Sequence, residues 1–254
     1  AIQELKTEKP SIEMLLCVGG DNFFQICSHL FPEAYLVGVN SDTQTSSGAL
    51  LYFNLENIPE ILPCLVGGGN FTYEPWARVA TTLNEKRVED ATCTASLSIK
   101  ATDMMSRYLL ERKEMGEKEG EKRETEEQKA TGILIVSGAG AQKGAWYRNA
   151  GLYLPQVKSG LYPLVTEWFS PTHPELHTLT REPMGGEDCA YKWLNLRVRV
   201  GDELTLRYWS NDPSELSIDS INRYDVKEGD ELRFRVSDKP LKVVSKMMTK
   251  PKWQ

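Results

Sequence analysis

The apolar positions near the start of the chain form two continuous runs, separated by a segment with helical spacing. Residues 12–18 and 34–39 are short and almost entirely apolar, which is typical of buried strands. Between them, residues 23–31 carry apolar side chains on one face of a helical pattern. Two buried strands joined by a helix form a βαβ unit, so we predict a parallel sheet here. Residues 1–9 have the pattern of a short amphipathic helix that ends before Pro10.

The pattern changes after residues 67–69, which are three consecutive glycines and the clearest interruption in the chain. Beyond them, short alternating segments predict a β-rich domain, with strands at 71–83, 93–101, 132–136, 193–200, 203–209, 215–219 and 231–236. We therefore predict an α/β domain over 1–68, a β-rich domain over 69–220, and a tail over 221–254 that returns to the first domain.

A mixed-charge segment with almost no apolar residue interrupts the β-rich domain at 111–129. The composition is typical of an exposed hairpin or a solvated helix with paired charges. A docking arm for a partner protein is the alternative, because a segment of this composition has no apolar face to bury by itself.

The overall composition argues against several kinds of protein. The net charge of −6 argues against a broad nucleic-acid surface, which needs a basic field. The five cysteines contain no CxxC pair, which argues against a zinc knuckle or a disulfide framework. His173 and His177 lie four residues apart, but Pro174 between them disfavours a common helix face, so we expect no metal site there. No apolar run approaches the ~20 residues that a membrane-spanning helix needs.

The first candidate for chemistry is Gly19-Gly20-Asp21, directly after the first buried strand. The glycines allow a sharp turn and a close approach of a ligand to the backbone. Peptide N–H groups at the start of the following helix bind phosphate oxygens. A carboxylate at this edge of a parallel sheet is placed to act as general base toward a hydroxyl group. The alternative is a tight turn in which Asp21 only caps the helix.

Four further short motifs follow in order along the chain. They are Gly38-Val39-Asn40-Ser41-Asp42 with Ser47-Gly48, then Asn84-Glu85, then the 137–146 loop with Gly138, Gly140, Ala145 and Trp146, and finally Ile218-Asp219 with Gly229-Asp230, Ser237 and Pro240-Leu241. Taken together with the GGD triplet, this ordered set resembles the NAD kinase family, and in particular its mitochondrial-type branch. The resemblance extends from Met14 to about Val244 and rests on the order of the motifs.

The resemblance implies a Rossmann-like α/β domain followed by an all-β domain. The implied reaction is phosphorylation of the adenosine-ribose 2′-hydroxyl of NAD by ATP, with Mg²⁺. Asp21 would then be the general base, in a phosphate-side loop formed by Gly19, Gly20 and Asn22. The remaining implied nucleotide contacts are Asn40, Asp42, Asn84, Glu85, Gly138, Gly140, Ala145 and Trp146.

The chain departs from the family pattern near the implied chemistry. Asn22 stands where the family has a glycine, and Phe23 replaces a hydroxyl residue. Thr92-Cys93-Thr94 lacks an arginine that the family carries, and Ser220 replaces the glycine after Asp219. Losing one well-placed donor costs ~10²–10³ in rate, so several such losses are enough to silence an enzyme while its fold survives.

Three interpretations follow from the sequence. The first is an active NAD kinase, for which the family implies a mitochondrial location and a homodimer. The second is a catalytically silent NAD-kinase-like subunit that serves as a structural or assembly component of a larger complex. The third is a related lipid-kinase-like fold, which also uses a GGDG loop but is disfavoured by Asn84-Glu85.

Overall fold

The computed structural model describes residues 12–67, 69–101, 103–115, 121–143, 169–184 and 191–248. Two compact units divide the chain, one formed by 1–76 with 240–254 and the other by 77–239. The predicted helix at 1–9, together with Ala145 and Trp146, lies outside the described residues. No helix in the described ranges is both long and apolar enough to span a bilayer.

The first unit is built on a mixed sheet whose strands run in the order β1-β2-β16-β4, with β3 also beside β2. Strands β1 and β2 are parallel and pair from Met14↔Tyr35 to Gly19↔Asn40, which confirms the predicted βαβ unit. Strand β16 continues the sheet parallel to β2 and pairs antiparallel with β4. The strands are β1 (Met14–Gly19), β2 (Tyr35–Asn40), β3 (Phe53–Asn54), β4 (Asn70–Trp76) and β16 (Leu241–Met248).

Two helices belong to this unit, α1 (Asp21–Leu30) and α2 (Ile58–Gly67), and a 3₁₀ turn over Leu55–Asn57 precedes α2. Helix α1 follows β1 after a single residue and buries Phe24 completely. Val37 and Val39 of β2 pack with Ile61 of α2. The apolar run of β2 is therefore buried because helices and neighbouring strands cover it.

The second unit contains an antiparallel sheet in the order β14-β13-β7-β9-β8-β12-β15-β5-β6, with β10 also beside β9 and β11 beside β10. The strands are β5 (Val79–Leu83), β6 (Lys86–Arg87), β7 (Thr94–Ile99), β8 (Ser106–Met115), β9 (Glu121–Val136), β10 (Glu175–Pro183), β11 (Arg197–Arg199), β12 (Glu203–Tyr208), β13 (Ser214–Ile218), β14 (Asn222–Val226) and β15 (Glu231–Val236). A short helix, α3 (Gly138–Lys143), follows β9. Alternating residues of many strands meet in one apolar core, among them Leu97, Tyr108 and Phe234.

The mixed-charge segment forms a hairpin, which decides between the two solvated structures that the sequence left open. Strands β8 and β9 pair from Ser106↔Ala130 to Met115↔Glu121. Near the base of the hairpin, Tyr108 and Leu110 are fully buried. Farther along, opposite charges pair across the strands, as between Arg123 and Glu111 at 3.4 Å. One buried face therefore anchors the hairpin, which the polar composition alone does not distinguish from a solvated helix.

The predicted long strand at 71–83 is two strands in two sheets. Strand β4 pairs with β16 in the first unit, whereas β5 pairs with β15 in the second. The unit boundaries consequently lie at Trp76/Ala77 and Lys239/Pro240, while the sequence-based division lies at 68/69 and 220/221. Long-range pairing with the last strand, which no local pattern encodes, assigns residues 70–76 to the first unit.

We predict that Gly132→Ala lowers the free energy of unfolding by about 1–3 kcal/mol or prevents folding, as overpacking of a core does. A Cβ atom at Gly132 would lie 2.1 Å from the carbonyl oxygen of Leu97 on the paired strand. Gly67→Ala is the matched control, because a Cβ there meets no atom within 4 Å. Chemical denaturation of both variants measures the difference, and equal midpoints would contradict the prediction.

Candidate functional site

Asp21 lies where the sequence predicts it, at the carboxyl end of β1 and at the first position of α1. Its carboxylate accepts two backbone hydrogen bonds, from the N–H of Ala49 at 3.2 Å and from the N–H of Leu50 at 2.9 Å. Each oxygen accepts one of these bonds, which leaves a second acceptor position on each. The side chain is half-buried. Asp21 is therefore held in one orientation while its carboxylate keeps capacity for another partner.

The two glycines before Asp21 have different surroundings. At Gly19 a Cβ would lie 3.0–3.2 Å from the side chain of Phe23, so this ring packs against the strand end. At Gly20 the nearest atom to a Cβ is the Ser46 hydroxyl oxygen at 3.5 Å, which is an ordinary contact. Asn22 is exposed on the first turn of α1. Phe23, the bulky residue that departs from the family pattern, thus packs on Gly19 and not on Gly20.

Asn40 and Asp42 reach the same edge because β2 is parallel to β1 and Gly19 pairs with Asn40. Asn40 donates from its side-chain nitrogen to the carbonyl of Ser46 at 3.0 Å, and its oxygen accepts from the N–H of Asp42 at 3.1 Å. The Thr45 hydroxyl, followed by the N–H groups of Thr45 and Gln44, lowers the pKa of Asp42. Both side chains therefore organise the loop after β2.

Gly48 closes this loop in a backbone conformation that favours glycine. Its φ is 56°, in the left-handed region. A Cβ at this position would also lie 2.4 Å from the side-chain nitrogen of Asn40. The loop therefore requires the glycine both for its conformation and for its contact with Asn40, and it carries the N–H groups of Ala49 and Leu50 to Asp21.

In the second unit, Asn84 and Glu85 are the two central residues of the β5–β6 hairpin turn. Their φ angles are 47° and 66°, as a type I′ turn requires. Asn84 donates to the Asp230 carboxylate at 2.7 Å and accepts from the N–H of Glu231 at 2.9 Å. This residue therefore joins the hairpin turn to the start of β15. A cavity of about 600 Å³ lies beside the turn and is also lined by Arg87.

Gly138 and Gly140, from the predicted nucleotide loop, are packed against other parts of the backbone. A Cβ at Gly138 would lie 2.1 Å from the carbonyl oxygen of Ser170, and one at Gly140 would lie 2.1 Å from that of Cys93. The preceding Ser137 donates to the carbonyl of Thr92 at 2.6 Å. Glycine at these two positions thus allows backbone segments of the second unit to pack closely against each other.

One buried carboxylate in the second unit has a role that the motif alone does not reveal. Asp219 accepts hydrogen bonds from three successive N–H groups, those of Thr92, Cys93 and Thr94, at 2.6, 2.8 and 2.8 Å. It is only 6% exposed and has a φ of 52°. Residues 92–94, where the family resemblance implies an arginine, thus bind the negatively charged Asp219 side chain through their backbone N–H groups. The sequence signal was Ile218-Asp219-Ser220, at the end of the strand predicted over 215–219.

Comparison with solved structures identifies the architecture. The yeast NADH kinase, in a crystal structure complexed with NADH, is similar to 97% of this chain with a TM-score of 0.73 and 14% sequence identity. The chain has an NAD-kinase-type fold. It spans 64% of the length of the yeast enzyme. No protein-family model and no curated protein matches the sequence. At this identity the similarity establishes the fold and does not establish the reaction.

Within this NAD-kinase-type fold, the edge at Gly20 and Asp21 combines a carboxylate with the N-terminus of a helix. Gly20 at the N-cap of α1 has no side chain to accept from the first N–H groups of the helix, and a Cβ there would make an ordinary contact with the Ser46 hydroxyl at 3.5 Å. No group of three or more His, Cys, Asp or Glu side chains in the described ranges is arranged to hold a metal.

We predict that Asp219→Asn destabilises the protein by at least about 1–3 kcal/mol, because one acceptor oxygen replaces two and buried N–H groups lose a partner. Asn tolerates the left-handed conformation, so the change tests the carboxylate rather than the turn. Thermal or urea unfolding measures the loss, and wild-type stability in the variant would contradict it.

Ser220→Gly is the matched variant in the same turn. We predict that it leaves the free energy of unfolding unchanged or raises it. Ser220 has a φ of 61°, which costs an L-residue about 1–2 kcal/mol. Glycine removes that strain, and its own entropic cost of about 0.5–1 kcal/mol offsets part of the gain. The same unfolding measurement applies. Destabilisation comparable to that of Asp219→Asn would show that both variants act through the turn.

Proposed function

We propose that the protein binds NAD and ATP at the edge formed by Gly20 and Asp21 and transfers the γ-phosphoryl group to the adenosine-ribose 2′-hydroxyl. The observation that carries the proposal is the anchored carboxylate of Asp21, at the end of a parallel strand in an NAD-kinase-type fold. A mitochondrial location and a homodimer remain predictions from the family resemblance.

The chemistry asks little of the protein beyond positioning and charge neutralisation. The 2′-hydroxyl proton passes to a carboxylate oxygen of Asp21, whose orientation the N–H groups of Ala49 and Leu50 maintain. The deprotonated 2′-oxygen of the ribose then attacks the γ-phosphorus, the bond from that phosphorus to the ADP oxygen breaks, and ADP leaves. Bound Mg²⁺ would neutralise the phosphate charge, with its ligands supplied mainly by the nucleotide. The N–H groups at the start of α1 favour phosphate oxygens near Gly20.

A catalytically silent structural role is the second candidate. It is favoured because the side chains that the resemblance assigns to ligand contact also hold the fold together. Asn84 binds Asp230, and Gly138 and Gly140 are packed against backbone carbonyls. The fold alone therefore requires these residues, whether or not the protein binds a nucleotide. The two candidates therefore differ in whether the protein binds NAD and turns it over.

Asp21→Asn tests the kinase directly. We expect NADP formation from NAD, ATP and Mg²⁺ by the wild-type protein, and a loss of about 10²–10⁴-fold in kcat for the variant, as for removal of a general base. The matched control is Asp202→Asn, which removes a carboxylate that also accepts a peptide N–H, from Arg199 at 3.0 Å. Its kcat should stay at the wild-type value.

The same assay separates the two candidates. Full activity in Asp21→Asn would remove this residue from the mechanism. No NADP from the wild-type protein, together with no NAD-induced rise in melting temperature, would contradict the kinase proposal and favour the structural role. The melting temperature of Asp21→Asn without ligand reports how much of its effect arises from loss of the bonds to residues 49 and 50.

Gly20→Ala tests whether a bound phosphate lies close to this residue, with little effect on the fold. Gly20 has a φ of −100°, which any residue adopts, and an added Cβ makes only an ordinary contact at 3.5 Å. We therefore expect the melting temperature to fall only by the small amount that an alanine N-cap costs relative to glycine. The KM for ATP or NAD should rise by about tenfold or more, which corresponds to about 1.4 kcal/mol of binding, because a methyl group would occupy the space of a bound phosphate oxygen. An unchanged KM would show that the nucleotide does not approach this glycine.

A further inference from the structure

A row of four residues crosses the outer face of the sheet in the second unit, away from its apolar core. Arg107 of β8 lies directly opposite Lys129 of β9. Trp209 donates its backbone N–H to the carbonyl of Arg107 at 3.1 Å, and Met184 donates to that of Lys129 at 2.8 Å. Two cations therefore stand side by side, with an indole at one end of the row and a thioether at the other.

The two cations differ from other basic residues on this face. Arg207 pairs with Glu111 at 3.5 Å and with Glu231 at 3.0 Å. Arg123 also pairs with Glu111. Within the described residues, neither Arg107 nor Lys129 makes an ion pair with a carboxylate. Directly opposite like charges destabilise a strand pair, and their Cβ atoms are about 4.5–5.5 Å apart. An anion between them would relieve that repulsion.

The row borders a cavity of about 570 Å³, whose lining includes Met104 as well as Trp209 and the two cations. Trp209 is 42% exposed, Met184 is 49% exposed and Met104 is 42% exposed. Ligand sites typically have volumes of about 300–1,000 Å³ and combine apolar walls with a few polar groups. Indole and thioether groups favour contact with a flat ring. The cavity thus offers an apolar platform beside a double cation.

We propose that this cavity is a second ligand site, which binds a single nucleotide or a similar planar organic phosphate. The phosphate lies between Arg107 and Lys129, and the ring stacks on Trp209. The acidic residues Asp103 and Asp212 also line the cavity. They disfavour a continuous polyanion and accept hydrogen bonds from amino or hydroxyl groups of the ligand. A free nucleotide therefore fits better than an RNA strand.

The proposal is tested by isothermal titration of the full chain with adenosine 5′-monophosphate, adenosine, inorganic phosphate and single-stranded oligoadenylate. The monophosphate is expected to bind at least about tenfold more tightly than adenosine or phosphate alone. Adenosine lacks the phosphate that the two cations bind, and inorganic phosphate lacks the ring that stacks on Trp209. The R107Q/K129Q double variant should lose at least about tenfold in affinity. Trp209→Leu should lose about 5–100-fold, the usual range for one stacked base.

Arg123→Gln is the matched control, because it removes a paired cation from the same hairpin and should leave the affinity for the monophosphate unchanged. The double variant should melt at or above the wild-type temperature, since it removes like-charge repulsion. It should also leave any NADP formation unchanged, which separates this proposal from the proposed function.

Three results would overturn the proposal. They are no monophosphate binding up to about 1 mM, an affinity that the double variant leaves unchanged, and oligoadenylate binding at least about tenfold tighter than the monophosphate. The second result would place the nucleotide elsewhere on the chain. The third would replace a single-nucleotide site with a strand-binding surface.

Discussion

The candidate site depends on one interaction, the hydrogen bonding of the Asp21 carboxylate by the N–H groups of Ala49 and Leu50. The bonds join the start of α1 to a loop nearly thirty residues farther along the chain, and they fix that loop over the edge of the parallel strands. Gly48 makes this possible, because its left-handed backbone turns the two N–H groups toward the carboxylate. The same bonds give Asp21 a structural role beside any catalytic one.

The second unit uses the same physical device in a more buried setting. Asp219 accepts from three successive N–H groups and fixes the segment before β7 against the β13–β14 turn. Both carboxylates satisfy backbone donors that regular strand or helix pairing leaves unused, and such donors are costly when buried without a partner. An Asp in a family motif is therefore not by itself a sign of surviving catalysis, since the fold can require it as well.

The local pattern was sufficient wherever the apolar run and its neighbours in sequence define an element. The βαβ unit and the position of Asp21 were predictable because β1, α1 and β2 are consecutive and pair with each other. The pattern predicted a strand over the residues of β4 but not the sheet to which it belongs, and it left a hairpin and a helix open for the distal parts of β8 and β9. Their pairing partners lie far away in sequence or share a polar composition, so only the completed sheet decides how they pair.

The amino-acid sequence by itself determined the order of motifs, the parallel strand pair and the α/β-then-β organisation that the NAD-kinase-type fold displays. Only the tertiary structure decided what each motif residue contacts. Asn84 and Gly140 resemble nucleotide-binding residues in sequence, yet one joins a hairpin turn to β15 and the other admits a backbone carbonyl. The physical reason is that a motif specifies a residue type and its spacing, whereas hydrogen-bond partners and free space depend on segments brought together from distant parts of the chain.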